Sequence, residues 1–365
     1  MHWIDLTKGL AILGIVLFHF FQNYPDRTTL VAALDRLGAK VGYAGVDIFF
    51  VMAGFNVSYV LALKSVKNNP DWRFKEWKSW LFKRLDRIYP SYGLAVLFSL
   101  LLYQLFQGGY EIKSVPIFIL NIVGFAGYQF QTINPGFWFF TVILQAYLVT
   151  PLIFHLCGFR PGKILAVAII GGGLTKLACL LVDHTTDLYW YLLQNDFLGS
   201  YFFQYGLGLY WGIIFFNHRN RFRKIDYLWV LSVFAAGAIG YGYLTYTGVD
   251  IIYMEGFDIL FTPLFFLACY QIFHSLTKHK EKLLPPLSML SLMGIYSYQI
   301  YLIHQPLLFV TLPRLNRTLP GNSELKILTS LAIAAILLTL YVLTFTEVEK
   351  FLRKWIGRLN NQPAQ

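Results

Sequence analysis

Apolar residues in this chain come in long uninterrupted runs, where a soluble domain would show alternation or a one-sided helical stripe. Ten such runs stand out, at 9–24, 41–63, 88–107, 137–156, 164–182, 197–216, 227–246, 257–274, 289–310 and 324–346. A helix rises about 1.5 Å per residue and a hydrocarbon core is about 30 Å thick, so each run is near the length of a membrane crossing. The pattern predicts an all-α integral membrane protein, a bundle of about ten transmembrane helices. An eleventh apolar stretch, 115–130, is ambiguous by hydropathy alone.

Charge orders these runs across the membrane, because Lys and Arg collect in the cytoplasmic loops of inserted helices. With ten crossings and the N-terminus inside, 22 of the 30 Lys and Arg fall in inner segments and seven in outer ones, with Lys176 inside a run. Were 115–130 also to cross, the basic loop around His218–Lys224 and the Lys278–Lys282 cluster would move outside. The segment is therefore read as re-entrant or interfacial on the outer side, and both termini as cytoplasmic. A composition of 56% apolar, 18% aromatic and 13% charged residues, with a mean hydropathy of +0.53, excludes a soluble globule. The net charge of +11 is dispersed over several inner loops, so it reads as a topology signal and argues against a nucleic-acid partner. Cys157, Cys179 and Cys269 are too scattered for a disulfide framework or a zinc site, and no metal is expected. Asp5 precedes the first run and no small-residue cleavage pattern follows it, so the first helix is expected to be retained. The expected organisation is one transmembrane domain over 1–346 and a basic cytoplasmic tail over 347–365, without an appended soluble domain. The pattern is silent on oligomeric state.

Ionisable groups inside the runs are the candidates for chemistry, since burying them in hydrocarbon is costly. Lys8 and His19 are eleven residues apart, which brings them to within about 20° of one helix face and about 16 Å apart along the axis. Imidazole titrates near neutrality, so His19 suits a general base. Asp47, near the outer end of the second run, could orient it if the first two helices form a hairpin, while Asp5 is expected to pair with Lys8. The loop KSVKNNPDWRFKEWKSWLFKRLDRIYP interleaves Trp72, Trp77 and Trp80 with cations, as an interfacial anchor would. Arg84 and Arg87, three apart, suit a phosphate or pyrophosphate by bidentate bonding. In the ninth run Ser297, Tyr301 and His304 share one face, lining a substrate pocket or serving as interhelical glue. Lys176 and Asp258 are expected to neutralise each other. Trp138 and Tyr147 share a face that is either packing or a sugar platform.

Five segments, DLTKGLAILGIVLFHF (5–20), GVDIFFVMAGF (45–55), KRLDRIYPSY (83–92), FWFFTVILQAYLVTP (137–151) and GIYSYQIYLIHQP (294–306), resemble in order and setting the motifs of the acyltransferase 3 family. The resemblance implies transfer of an acyl group, usually acetyl from acetyl-CoA, to a hydroxyl of a cell-surface or lipid-linked saccharide, in the bacterial plasma (inner) membrane. It gives His19 a catalytic role and sets Arg84 and Arg87 against the CoA phosphates, and beside it the reading of the residues keeps Asp47 and His304 as catalytic candidates and Lys8 as a further phosphate contact. Trp138, Tyr147, Ser297 and Tyr301 become candidates for contact with substrate. The expected partners are membrane lipid and a saccharide or glycolipid acceptor. Three departures mark a divergent member: Lys8 stands where arginine is usual, Ala53 where serine is usual, and Phe139–Gln145 carries no acid after Trp138. The alternatives are a transporter of a saccharide or small organic anion, and a family member that has lost turnover.

Overall fold

The computed structural model describes residues 2–68, 74–193, 196–249, 253–278 and 284–360, and every regular element among them is helical. In chain order these are α1 (His2–Asn23), α2 (Thr29–Asn68), α3 (Phe74–Gln107), α4 (Val115–Val123), α5 (Trp138–Cys157), α6 (Pro161–Leu181), α7 (Asp187–Leu193), α8 (Phe202–Asn217), α9 (Lys224–Tyr246), α10 (Phe257–Thr277), α11 (Pro285–Ile295), α12 (Ser297–Thr318) and α13 (Ser323–Asn360). Eight of them, α1, α2, α3, α5, α6, α9, α10 and α13, are long and apolar enough to cross a membrane.

Two expected crossings take a different form. The run 197–216 begins with a short 3-10 turn, Leu198–Tyr201, and continues as the 16-residue α8. The run 289–310 is not one helix: it breaks at Tyr296 into α11 and α12, and α12 carries Pro306 and Pro313 in a less apolar stretch. The ambiguous segment 115–130 supplies only the nine-residue α4, which rises about 14 Å and stops at Gly124 in the left-handed region, φ 81°. That is too short to cross. The aromatic inner loop also differs from an isolated surface anchor. Trp72 lies outside the described residues, while Trp77 and Trp80 belong to the first turns of α3, where Trp80 is buried edge-on against Tyr147 of α5. Residues 347–360 of the expected tail continue α13 without interruption.

Close backbone approach organises the centre. In hydrocarbon, helices gain nothing from excluding water from each other, so small residues that let backbones touch dominate their contacts. At the α1–α11 crossing, Gly9 lies against the carbonyl of Leu290 and Gly294 against that of Asp5, with no room for a Cβ on either. Gly54 and Gly208 do the same for α2 and α8. With α8 buried continuously from Phe203 to Phe215, it forms the middle of the bundle together with α1 and α2. Large apolar side chains such as Ile170 of α6, Ile239 of α9 and Leu340 of α13 point outward, the face that lipid accepts.

A polar knot ties α3, α12 and α13 at one end. Pro90 has no N–H, so within α3 the carbonyl of Asp86 loses its usual donor. Arg353 of α13 supplies one, reaching the Asp86 carbonyl at 3.3 Å and the Arg87 carbonyl at 2.8 Å. Its Nε donates to Glu349 at 2.9 Å, and Glu349 also accepts from Ser91 at 2.6 Å and from Gln299 of α12 at 3.2 Å. This fork holds the turn that displays Arg84 and Arg87. Replacing Arg353 by Ala is expected to lower the thermal unfolding midpoint of the detergent-solubilised protein by an amount equivalent to about 1–3 kcal/mol, the range for an unpaired buried polar group. Arg353→Lys, a single-point donor, is expected to recover only part of that loss.

Candidate active site

Five cations, Lys8, Lys64, Lys83, Arg84 and Arg87, gather at the mouth of a cavity of about 610 Å³ between α1, α2, α3, α5 and α12. Asp5 lies 2.9 Å from Lys8, the pairing their spacing predicted. Arg84 is held differently: its guanidinium lies over the rings of Trp80 and Tyr147, at 5.5 and 5.7 Å from the centroids. Stacking in this way fixes the plane of the fork without neutralising it. Deeper in, the walls turn apolar with Phe49, Met52, Ala53, Ile143 and Phe139. Ser297 lines this cavity too, and Tyr301 closes its far end. The shape is a cationic mouth leading to an apolar shaft.

A second, smaller cleft of about 90 Å³ opens from the other end of the bundle and contains His19, Trp138 and Gln305. Tyr301 lines both cavities. Its ring packs against Phe139 at 4.9 Å, Phe49 at 6.4 Å and His304 at 5.7 Å, so the two spaces are separated by an aromatic wall about one ring thick.

Behind His19 stands His304. The Nδ1 of His19 and the Nε2 of His304 are 2.8 Å apart, and His304 is fully buried. The Nδ1 of His304 lies 3.0 Å from the carbonyl of Ile300 and 2.8 Å from that of Tyr301. Carbonyls only accept, so this Nδ1 carries the proton, and in neutral His304 the Nε2 is the acceptor. His19 must then donate from Nδ1, which leaves its own Nε2 unprotonated on the side of the cleft. Two carbonyls thus dictate, through one imidazole, which nitrogen of another is a base. Asn23 secures the end of α1 by donating to the His19 carbonyl at 2.7 Å.

The expected orientation of His19 by Asp47 is corrected here. Gly42 and Gly45 turn that part of α2 toward Phe18 and Ala11 of α1, and two residues beyond Gly45 a side chain points about 200° around the helix. Asp47 is accordingly buried on the opposite side, accepting from Gln204 at 3.1 Å, Tyr253 at 3.0 Å and Thr262 at 3.1 Å. The same Gln204 donates to Asp258 at 2.8 Å, and Asp258 pairs with Lys176 at 2.8 Å, as their positions in the runs suggested. Trp138 and Tyr147, expected on one face, open into different spaces, Trp138 beside His19 and Tyr147 beside Arg84. Sequence reasoning passed over Gln305, whose amide oxygen is buried with no partner among the described residues. Its position next to His304 was the available signal.

Two measurements test this geometry. In ¹⁵N-histidine NMR, His19 is expected as the Nδ1-protonated tautomer. His304→Gln, whose amide oxygen can accept, should preserve that tautomer and His304→Leu should abolish it. Separately, Lys176→Met is expected to destabilise the protein by about 3–5 kcal/mol in reversible unfolding, because it leaves buried carboxylates without a cation. Adding Asp258→Asn to Lys176→Met should restore most of the loss.

The model of the acyltransferase 3 family, described as an acyltransferase domain, matches residues 1–346. The peptidoglycan O-acetyltransferase OatA of Listeria monocytogenes is 22% identical over 191 residues, which cover 49% of this chain and 28% of that protein. The chain therefore spans well under half the length of this curated relative. No solved structure matches. With the family match running from the first helix through almost the whole bundle, the chain belongs to the acyltransferase 3 family.

Proposed function

We propose that the chain is a multi-pass membrane O-acyltransferase that moves an acyl group, acetyl first among them, from acyl-CoA to a hydroxyl of a cell-surface or lipid-linked saccharide. The observation that carries this reading is the meeting of two unlike cavities at Tyr301: a shaft with five cations at its mouth, and a cleft holding an unprotonated imidazole nitrogen. The charge bias of the loops supports ten crossings with both termini cytoplasmic, with α8 and α12 completing the set. In this reading the cationic mouth faces the cytoplasm, where CoA thioesters are made. Lys8, Arg84 and Arg87 would meet the CoA phosphates by charge-assisted bonds, and the pantetheine arm would lie in the apolar shaft past Tyr147 and Ser297.

The step itself balances with the groups present. The acceptor O–H gives its proton to His19 Nε2, the oxygen bonds to the thioester carbonyl carbon, the C–S bond breaks, and the thiolate leaves and is protonated. In the relay variant Nε2 bonds to that carbon first as the C–S bond breaks and the thiolate leaves. The acceptor oxygen then bonds to the acyl carbon, the C–Nε2 bond breaks, and the acceptor proton passes to the freed Nε2, a route suited to donor and acceptor on opposite faces. His304 would hold His19 in the reactive tautomer and share the imidazolium charge. Asp47, locked among Gln204, Tyr253 and Thr262, has a structural role in this reading.

The test is label transfer from radiolabelled acetyl-CoA to a saccharide pool by protein in lipid vesicles. His19→Ala is expected to lose at least about a hundredfold in transfer, the scale of general-base catalysis, while still binding CoA. Arg84→Ala and Arg87→Ala should each weaken CoA binding by about tenfold, the worth of a charge-assisted hydrogen bond. Label trapped on His19 after rapid quench identifies the relay, and its absence identifies direct transfer. Folded wild-type protein that neither binds nor transfers label, across several acyl lengths, would overturn the proposal in favour of a transporter.

A further inference from the structure

At the end of the bundle away from the cations, the His19 cleft continues into a wider open space of about 380 Å³. Its lining is short and distinctive: Tyr128, Gln129, Gln131, Pro135 and Trp190, of which Tyr128 and Pro135 also border the His19 cleft. Trp190 comes from α7 and Tyr128 from the turn after α4, and they are 40% and 41% exposed. Two large, part-exposed rings from distant parts of the chain thus line one cleft. Among the described residues no charged side chain lines it.

The wall that carries Tyr128 is held rigidly from behind. Asn121 donates to the Phe130 carbonyl at 2.8 Å and accepts from the Thr132 N–H at 3.1 Å. Asp196 accepts from the Gln129 N–H at 3.1 Å, and Thr141 donates to the Ala126 carbonyl at 2.6 Å. A loop fixed in this way loses little freedom when a ligand docks. Gln131 also donates to the Ala126 carbonyl, and this leaves its Oε1 unpartnered among the described residues. Gln305, 5% exposed, lines the adjoining His19 cleft with its Oε1 also unpartnered. Buried acceptors without donors are uncommon enough to need an explanation, and a ligand rich in hydroxyls supplies one.

Aromatic rings, amide acceptors and an uncharged lining among the described residues point to one ligand class. A neutral sugar ring has an apolar C–H face that lies on an aromatic ring and a hydroxyl edge that donates to amide oxygens. We propose that this cleft is an acceptor subsite for a neutral oligosaccharide. One sugar ring lies between Tyr128 and Trp190, and the ring linked to it reaches the His19 cleft, where Gln305 Oε1 accepts a hydroxyl beside the one to be acylated. The acceptor is therefore at least a disaccharide unit, since a single sugar fills only one of the two spaces. This inference rests on the acyltransferase reading, and its test separates the two.

The experiment uses the full chain in nanodiscs, with N-acetylglucosamine, its β-1,4-linked tetramer and maltotetraose as probes. Saturation-transfer NMR reads saccharide binding directly, and radiolabelled acetyl-CoA reads donor binding and transfer. A tetrasaccharide is expected to bind at least about tenfold more tightly than the monosaccharide, the order of one good stacking contact. Trp190→Ala and Tyr128→Ala should erase that advantage with CoA binding unchanged, and Trp190→Phe should keep most of it. Where transfer is measured, the loss should fall on the acceptor KM and leave kcat in place. Binding of neither tetramer by folded wild type, or an advantage that survives both alanine variants, would overturn the subsite. Saccharide binding that follows these variants in a protein that transfers no label would uphold the subsite and refute the acyltransferase reading.

Discussion

A polar group inside this bundle has no water to turn to, so each one has to be answered by another helix, and the His19–His304 hydrogen bond is the pairing on which the rest turns. It joins α1 to α12 across nearly the whole chain. It needs the two helices in contact at one level, and the break at Tyr296 provides for that. α11 crosses α1 at Gly9 and Gly294, where backbone lies on backbone, and α12 restarts from this fixed point with His304 two turns along. A single straight helix over 289–310 would have to satisfy the α11 crossing and the histidine pairing on one axis.

The remaining polar groups follow the same rule in separate clusters. Asp47, Gln204, Asp258 and Lys176 answer one another among α2, α8, α10 and α6, and Glu349 with Arg353 answers the freed carbonyl beside Pro90. Neither cluster lines the shaft or the His19 cleft. Their consequence for the site is indirect: the first holds α2 and α8 in place beside the His19 cleft, and the second presents the Arg84 and Arg87 turn to the shaft.

Much of this was legible in the sequence wherever the reasoning stayed on one helix. The Asp5–Lys8 pair and eight of the ten apolar runs depend on spacing along the chain, and they stand as read, while 197–216 and 289–310 are each broken and 115–130 supplies only the short α4. The charge pair Lys176–Asp258 was also legible, because two lone opposite charges in hydrocarbon have few other options. Reasoning between helices was weaker. His19 and His304 were each singled out, but their contact depends on which helices neighbour which, and spacing does not record that. Asp47 was placed on the right helix and the wrong face, since Gly42 and Gly45 take the side toward α1. Gln305 was missed although it adjoins His304, and Tyr128, Trp190 and Arg353 were missed because nothing about a lone ring or guanidinium marks what it will meet.

Tyr301 imposes the last constraint. A continuous channel between a thioester on one side of a membrane and a hydroxyl on the other would also admit water, which competes as nucleophile, and would leak protons. The ring of Tyr301, packed between Phe49 and Phe139, keeps the two spaces apart at the depth where they come nearest. It is also on the same face of α12 as His304, whose Nδ1 donates to the Tyr301 carbonyl. The residue that closes the shaft thus contributes, through its backbone, to setting the histidine tautomer on the other side. In the proposed reaction, any movement of α12 that lets an acyl group past the ring would act on the imidazole chain in the same motion, so that access and reactivity change together.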